Sequence, residues 1–340
     1  MKAPAVKTPV LTVTDLRIGF RSPLSHSSAE SILAAVQDFN LTVYRGETVA
    51  IVGESGCGKS ITALALAGLL PADARIISGH IDLLGQQISS LPESRLRRLR
   101  GNRIGMIFQD PMAALNPVLT IGEQIEEAIL AHQAITRSEA RVQAEDLLAR
   151  VRMPQPRKTM ADYPHQLSGG MRQRVMIAIA ISNQPDLLIA DEPTTALDAT
   201  VQFEILSLLH DIQSESGMAL IMITHDLGIV DRWAERVAVM YAGRKVEERS
   251  TKDLLDQPLH PYTNALIRAR PSRRPLRGPR HRLTEIAGMV PAIGTHQAGC
   301  VFAPRCALAT ERCYVETPIL NDIPDEPGVV ACHLIVEGSA

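Results

Sequence analysis

Aromatic residues are scarce in this chain, 3% with a single tryptophan, and no apolar run approaches the about 18 to 20 residues that a membrane-spanning helix needs. The longest candidate, residues 61–70, is short and follows a glycine-rich turn, so the chain is not expected to cross a bilayer by itself. The first ten residues are broken by proline and lack the apolar core of a secretory signal, which points to a protein that stays in the cytoplasm. Charge of one sign is lacking too: the formal net charge is -2 and the isoelectric point is near 6.6. Nothing global therefore draws the chain to nucleic acid, and no nucleic-acid partner is expected. The local basic run Arg268, Arg270, Arg273, Arg274, Arg277, Arg280 and Arg282 reads as a solvated linker. Cysteine is absent before Cys57 and then again until Cys300. No repeat recurs at a fixed period.

What remains is ample for a packed domain with an appendage: 340 residues, 45% of them hydrophobic, with a mean hydropathy of +0.03. Apolar and polar residues alternate over residues 11–20 and 39–46, a strand pair with a serine-rich loop at 22–31 between them. Residues 47–52 form a continuous apolar strand, and 60–70 an alanine- and leucine-rich helix. Residues 71–164 are polar with amphipathic helices, among them 120–134 and 137–150, and read as an inserted helical subdomain, placed at about 85–170. Helices at 171–182 and 201–214 then alternate with strands at 187–190 and 219–224, the pattern of a mostly parallel sheet. The fold class is α/β. A boundary near 250–285 separates a large domain, 1–255, from a C-terminal unit, 256–340.

Between the strand and the helix stands Gly53-Glu54-Ser55-Gly56-Cys57-Gly58-Lys59-Ser60, a G-x-x-x-x-G-K-[ST] phosphate loop in the context its mechanism requires. The glycines let backbone N–H groups wrap a β-phosphate at a helix N-terminus, Lys59 reaches the β- and γ-phosphates, and Ser60 is a ligand for Mg²⁺. ATP and Mg²⁺ are thus the expected cofactors. Cys57 within the loop reads as a tolerated small residue rather than a redox centre. The strand at 187–190 runs into Asp191 and Glu192: the first is placed to hold Mg²⁺, the second to polarise an attacking water.

Leu167-Ser168-Gly169-Gly170-Met171 opens a helix with a serine and two glycines, a second anion contact without a partner in its own phosphate loop. With these motifs in this order the sequence resembles the ABC ATPases, whose LSGGQ signature appears here with Met171 in the last position. The resemblance covers about residues 10–250 and implies a P-loop NTPase core with an antiparallel β subdomain and an inserted helical subdomain. It further implies that Gln109 is the Q-loop residue sensing γ-phosphate and Mg²⁺, that Ala196-Leu197-Asp198 is the D-loop, and that His225 is the switch histidine orienting Glu192 and water. Two such subunits would face head to tail, with Ser168, Gly169 and Gly170 of one closing over the γ-phosphate held by Lys59 of the other. Phe20 is the candidate for stacking on adenine.

Cys300, Cys306, Cys313 and Cys332 follow the pattern C-x₅-C-x₆-C-x₁₈-C in a chain expected in a reducing compartment, so disulfides are a poor first reading. Three readings stay open: an iron–sulfur cluster, a tetrahedral zinc site, and reduced thiols without a ligand. The wide gaps and the lack of C-x₂-C pairs tilt toward the cluster. Residues 299–306, with Pro261-Tyr262-Thr263 upstream and Ala331-Cys332-His333 downstream, resemble the C-terminal extension of the dipeptide, oligopeptide and nickel importer ATPases, some of which carry a [4Fe–4S] cluster there. His333 reads as a neighbour rather than a ligand.

The resemblance implies an ATP-hydrolysing importer subunit on the cytoplasmic face of the membrane. Its expected partners are a second, related ATPase subunit, two permease subunits and an extracytoplasmic solute-binding protein. A translation or repair ATPase is the alternative, but a second cassette and a long coiled coil are both lacking. An exporter would commonly carry fused membrane helices, and Glu192 with His225 argues against a non-hydrolysing module. The solute, whether peptide, nickel complex or opine, is recognised by other subunits.

Overall fold

The computed structural model describes residues 8–21, 32–269, 285–292, 294, 298–323 and 326–337. The serine-rich segment 22–31 and the arginine run beyond Arg268 lie outside the described residues.

The chain opens with β1 (Pro9–Arg21) and β2 (Ile32–Tyr44), then β3 (Thr48–Val52), α1 (Lys59–Leu66), β4 (Ala74–Leu83) and the short β5 (Gln86–Gln87). β2, β1, β4 and β5 form an antiparallel sheet in that order. β2 is longer toward its N-terminus than alternation indicates, because the pattern breaks at Asp38, which stands at a φ of 51°. Asn40 stabilises this irregularity, accepting from the Asp15 N–H at 2.9 Å and donating to the Asp15 carboxylate at 3.0 Å. β4 is a correction to the helical reading of residues 71–164: it pairs with β1 from Leu11↔Leu83 to Phe20↔Ala74, and buries Ala74, Ile81 and Leu83 in the core. Helix α1 stops at Leu66 rather than at residue 70, two residues before Gly68, whose φ is +66°.

There follow α2 (Glu93–Leu99), β6 (Ile104–Ile107), α3 (Pro111–Ala114), α4 (Ile121–Leu130), α5 (Arg137–Arg150), α6 (Pro156–Thr159) and α7 (Gly169–Ile181). Thr120 precedes α4 as its N-cap and forms a reciprocal capping box with Glu123, and Thr136 and Glu139 repeat the device at α5. α4, α5, α7 and their neighbours share one apolar core, including Ile121, Ile125, Leu148 and Val175.

The rest of the cassette is β7 (Leu187–Asp191), α8 (Ala199–Ser216), β8 (Ala219–Thr224), α9 (Leu227–Trp233), β9 (Arg236–Tyr241) and β10 (Arg244–Ser250). β6, β7, β8, β3 and β9 lie side by side and parallel. β3, β7 and β8 are buried along their whole lengths, which is why they read as continuous apolar runs rather than alternating ones.

α10 (Thr251–Asp256), α11 (Pro261–Arg268), α12 (Glu311–Val315), β11 (Asn321–Asp322), β12 (Gly328–Val330) and α13 (His333–Glu337) complete the described chain. β12 pairs antiparallel with β10 and β11 with β12, so the main sheet runs on, in the order β11-β12-β10-β9-β3-β8-β7-β6, across the boundary expected at 250–285. An aromatic nest fastens the C-terminal unit: the Tyr241 and Tyr262 rings lie 4.6 Å apart, and Phe302 meets Tyr241 edge-on at 5.2 Å. All three are buried, and each such ring contributes on the order of 1.5–3 kcal/mol by leaving water. Among the described residues no helix is long and apolar enough to cross a membrane.

Candidate functional site

The site forms where β3, β7 and β8 end side by side, because a parallel sheet delivers the C-terminal ends of adjacent strands to one edge. β3 feeds the loop 53–58. Gly53 allows no side chain, since a Cβ there would stand 2.2 Å from the carbonyl oxygen of Met240, and Gly58 enters α1 at a φ of +101°. Lys59 is buried, its Nζ donating to the carbonyls of Gly53 at 2.9 Å and Glu54 at 3.0 Å. Ser55 and Gly56 are exposed on the loop, and Cys57 is buried beneath it, its thiol pushed up by burial against the opposing charge of Lys59.

From β7, Asp191 meets Ser60: the Ser60 hydroxyl donates to the carboxylate at 3.2 Å. Burial raises the Asp191 carboxyl above its ordinary range; the Ser60 bond and Lys59 pull the other way, while the charge of Glu192 adds to the rise. Glu192 stands at a φ of +46°, a backbone conformation uncommon outside glycine, with its N–H donating to the Ile223 carbonyl on β8 at 3.0 Å. Three side chains converge on its carboxylate: Gln109 Nε2 at 3.1 Å, Thr195 Oγ1 at 2.8 Å and His225 Nδ1 at 3.2 Å. Burial alone would raise this carboxyl. The Thr195 and His225 hydrogen bonds, with the charges of His225 and Lys59, outweigh it and hold Glu192 below the usual carboxylate range.

Gln109, Glu192 and His225 are therefore brought together, as are Lys59, Ser60 and Asp191. Ser168 lies elsewhere, at the start of α7, exposed and capping the helix by accepting from the Met171 N–H at 3.3 Å. Gly169 and Gly170 pack on the segment before and within α8: a Cβ on Gly170 would stand 2.7 Å from Val201. Asp198 caps α8, accepting from the N–H groups of Thr200 at 3.1 Å and Val201 at 3.0 Å. Phe20, near the end of β1, is half-buried.

Two features of the site escape motif reading. Thr195 is one; a hydroxyl three residues after a strand-end glutamate is the signal that could have found it. The other is Glu54. Its N–H donates to the Tyr262 hydroxyl at 2.9 Å, and its carboxylate is forked by Arg305 at 2.7 and 3.1 Å. No local pattern announces partners so distant in the chain.

Cys300, Cys306, Cys313 and Cys332 line one small cavity with His260, Phe302 and His333. The Cys300 N–H donates to the Cys313 carbonyl at 2.7 Å, and burial raises the thiols of Cys300, Cys306 and Cys332. His333 is turned to the Glu316 carbonyl, 2.9 Å from its Nε2. The expected metal site is not formed as such. Among the described residues no group of three or more His, Cys, Asp or Glu side chains is arranged to hold a metal ion, and the cavity, about 20 Å³, has room for about one water.

The comparisons with known proteins identify the family. The ABC transporter family model matches residues 36–195, and that of the oligopeptide/dipeptide transporter C-terminal region matches residues 246–313. The probable peptide ABC transporter ATP-binding protein y4tR of Sinorhizobium fredii is 47% identical over 319 residues, 93% of this chain and 94% of that protein. A protein of Brucella melitensis, named as a peptide import ATP-binding protein, is 45% identical over 333 residues, 95% and 96% of the two chains. Among solved structures, the dimeric post-hydrolysis ATP-binding cassette MJ0796, bound to ADP and Pi, superposes with a TM-score of 0.62 at 28% identity, over 71% of this chain and 98% of that one. cbiO1 of Clostridium perfringens, part of the ABC transporter complex cbiONQ, gives 0.61 at 28% identity, over 74% and 92%. The chain belongs to the ABC transporter ATP-binding proteins that carry the oligopeptide/dipeptide transporter C-terminal region, and it is an ATPase.

Proposed function

We propose that this ATPase powers an importer of peptides or a related small solute, acting peripherally at the cytoplasmic face of the membrane. The observation that carries the chemical part is the convergence of Gln109, Thr195 and His225 on the Glu192 carboxylate. That arrangement keeps the carboxylate ionised and fixes its direction, as a group that must polarise an attacking water requires. His225 orients Glu192 and contacts the γ-phosphate, and Gln109 senses the same phosphate from the loop that enters the helical segment.

Lys59 and the loop from Gly53 to Gly58 hold the phosphates of ATP. The oxygens of Ser60 and Asp191, 3.2 Å apart, fit the donor set of a hard divalent cation, with Gln109 as a further oxygen ligand. The raised Asp191 carboxyl marks a place where a positive charge would be stabilising. When bound, Mg²⁺ neutralises charge on the β- and γ-phosphate oxygens. Phe20 stacks on the adenine.

The exposed Ser168, with Gly169, Gly170 and Asp198, serves a facing subunit, so that two ATPases sandwich ATP. Support comes from the dimeric MJ0796 cassette. The partner is a second, related ATPase, and the pair drives two permease subunits fed by an extracytoplasmic solute-binding protein. Support for peptides as the cargo class is the name carried by relatives 45% and 47% identical over nearly the whole chain.

The four C-terminal thiols are proposed as ligands of a [4Fe–4S] cluster. Four sulfurs lining one cavity favour this reading; the small volume of that cavity requires the thiols to spread on binding. Iron, zinc and acid-labile sulfide analysis after anaerobic purification tests it: about four irons and four sulfides per chain are expected, and one zinc or no metal contradicts it.

Import itself is tested by reconstituting the chain with its permease subunits and solute-binding protein in vesicles and following labelled peptides. ATP-dependent uptake that fails with Lys59→Ala is expected. ATP turnover unaffected by permease or solute contradicts the proposal.

A further inference from the structure

The phosphate loop carries a carboxylate, Glu54, in a segment whose task is to bind a polyanion. Left unpaired, that charge would oppose ATP. Arg305 comes from the far C-terminal unit and closes on it in a two-pronged ion pair, 2.7 Å to one carboxylate oxygen and 3.1 Å to the other. Its guanidinium is held on other sides as well: it donates to the carbonyls of Ile286 at 3.0 Å and Ala287 at 2.8 Å and to the Tyr241 hydroxyl at 3.2 Å. The side chain is only 5% exposed, against 28% for Glu54, so little water screens the pair.

The backbone on both sides of Arg305 is fixed too. It ends the short 3₁₀ turn Ala303–Arg305, whose N–H groups donate to Cys300 and Phe302, while the Cys306 N–H returns to Ala303. A second arm reaches the same loop residue, since the Tyr262 hydroxyl accepts from the Glu54 N–H and the Tyr262 ring packs at a tilt against Tyr241 and Phe302. The C-terminal unit therefore grips the phosphate loop at one residue, through charge and through backbone.

We infer that Arg305 is a positioning residue for the ATP site: by neutralising Glu54 and fixing its direction, it lets the loop accept the triphosphate. The inference rests on the reading of residues 53–60 as the ATP-binding loop. It predicts that the penalty for losing Arg305 comes from the carboxylate left behind, and so disappears when that carboxylate is removed as well.

The test is titration of the purified full-length chain with Mg²⁺ and a fluorescent ATP analogue, comparing Arg305→Ala, Arg305→Lys, Glu54→Gln, the double variant Glu54→Gln/Arg305→Ala, and Lys59→Ala. Arg305→Ala is expected to bind at least about 5-fold more weakly than wild type, with the deficit shrinking as salt is raised. Arg305→Lys recovers part of it. Glu54→Gln is the reference for the pair: adding Arg305→Ala to it weakens binding by no more than about twofold. Wild-type binding by Arg305→Ala, or a double variant that falls as far below Glu54→Gln as Arg305→Ala falls below wild type, overturns the inference; the second outcome assigns Arg305 a packing role only. Lys59→Ala separates the two layers: unchanged binding there removes the ATP site itself, whereas its loss beside a normal Arg305→Ala removes only the role of Arg305.

Discussion

Thr195 Oγ1 stands 2.8 Å from Glu192 Oε2, the shortest of three side-chain contacts that aim this carboxylate. The hydroxyl donates, so it favours the ionised form, and it acts on the oxygen that Gln109 also reaches.

Thr195→Ala is accordingly expected to lower kcat about tenfold or more, the weight of a hydrogen bond to a charged group, with KM for ATP little changed. Its signature is in pH. Glu192 is held below the usual carboxylate range, so the acid limb of the wild-type pH–rate profile lies low; without Thr195 the carboxyl rises and the limb moves to higher pH. A variant whose kcat falls without that displacement would show Thr195 to be a packing residue.

Asp191 carries the opposite shift. Its carboxyl is raised in the folded chain, so folding favours its protonated form, and the stability it contributes is present at low pH and lost as pH rises through its folded value. At neutral pH without divalent cation, Asp191→Asn should therefore raise the thermal midpoint. The same variant should lose the further rise that Mg²⁺ with ATP gives the wild type. Thermal melts with and without Mg²⁺-ATP check both, and a variant still stabilised by Mg²⁺-ATP contradicts the placement of the cation.

His260 supplies a pH prediction for the C-terminal unit. It is buried, pulled down to about 4 from an ordinary 6.5 chiefly by that burial, and its Nδ1 accepts from the Tyr262 N–H at 3.0 Å. Its neutral form is the one that folds, so it contributes stability above pH 6.5 that is lost as pH falls toward 4. Glu247, raised by burial and accepting from the His260 N–H at 3.0 Å, opposes this trend, so the comparison must be made between variants. Against wild type, His260→Gln should show a pH dependence of unfolding free energy shallower by about one proton over that interval. Identical slopes would contradict the assignment.

The contiguous parts of this molecule were legible in its sequence. Gly53 to Ser60, Asp191 with Glu192, and the helix opening at Ser168 each carry their chemistry within a few residues, where strand, turn and helix signals coincide. The buried parallel strands were legible for a related reason, since burial on both faces leaves unbroken apolar runs such as residues 48–52. β4 was not, because its buried positions Ala74, Ile81 and Leu83 are separated by exposed residues around Gly79 and their partners lie on β1, far back in the chain. Thr120 looked like the first residue of its helix and is its cap, a difference of one residue with a definite hydrogen bond behind it, whereas α5 begins at Arg137 as its periodicity indicates. The pair Glu54 and Arg305 is the extreme case. Its residues stand 251 positions apart, and nothing local to either one announces the other. The four cysteines fall between: their spacing was plain, whereas their packing around a cavity of about 20 Å³ depends on Phe302, His260 and the pairing of β12 with β10.

The most direct test of the account is the Glu192→Gln variant of the full chain, with steady-state ATP turnover and ATP binding measured side by side. The substitution keeps the shape of the side chain and removes the charge on which Gln109, Thr195 and His225 converge. Turnover in the assembled complex should fall by about 10²- to 10⁴-fold while ATP still binds, and two ATPase subunits should accumulate as a closed pair. Turnover equal to that of wild type would contradict the account at its centre.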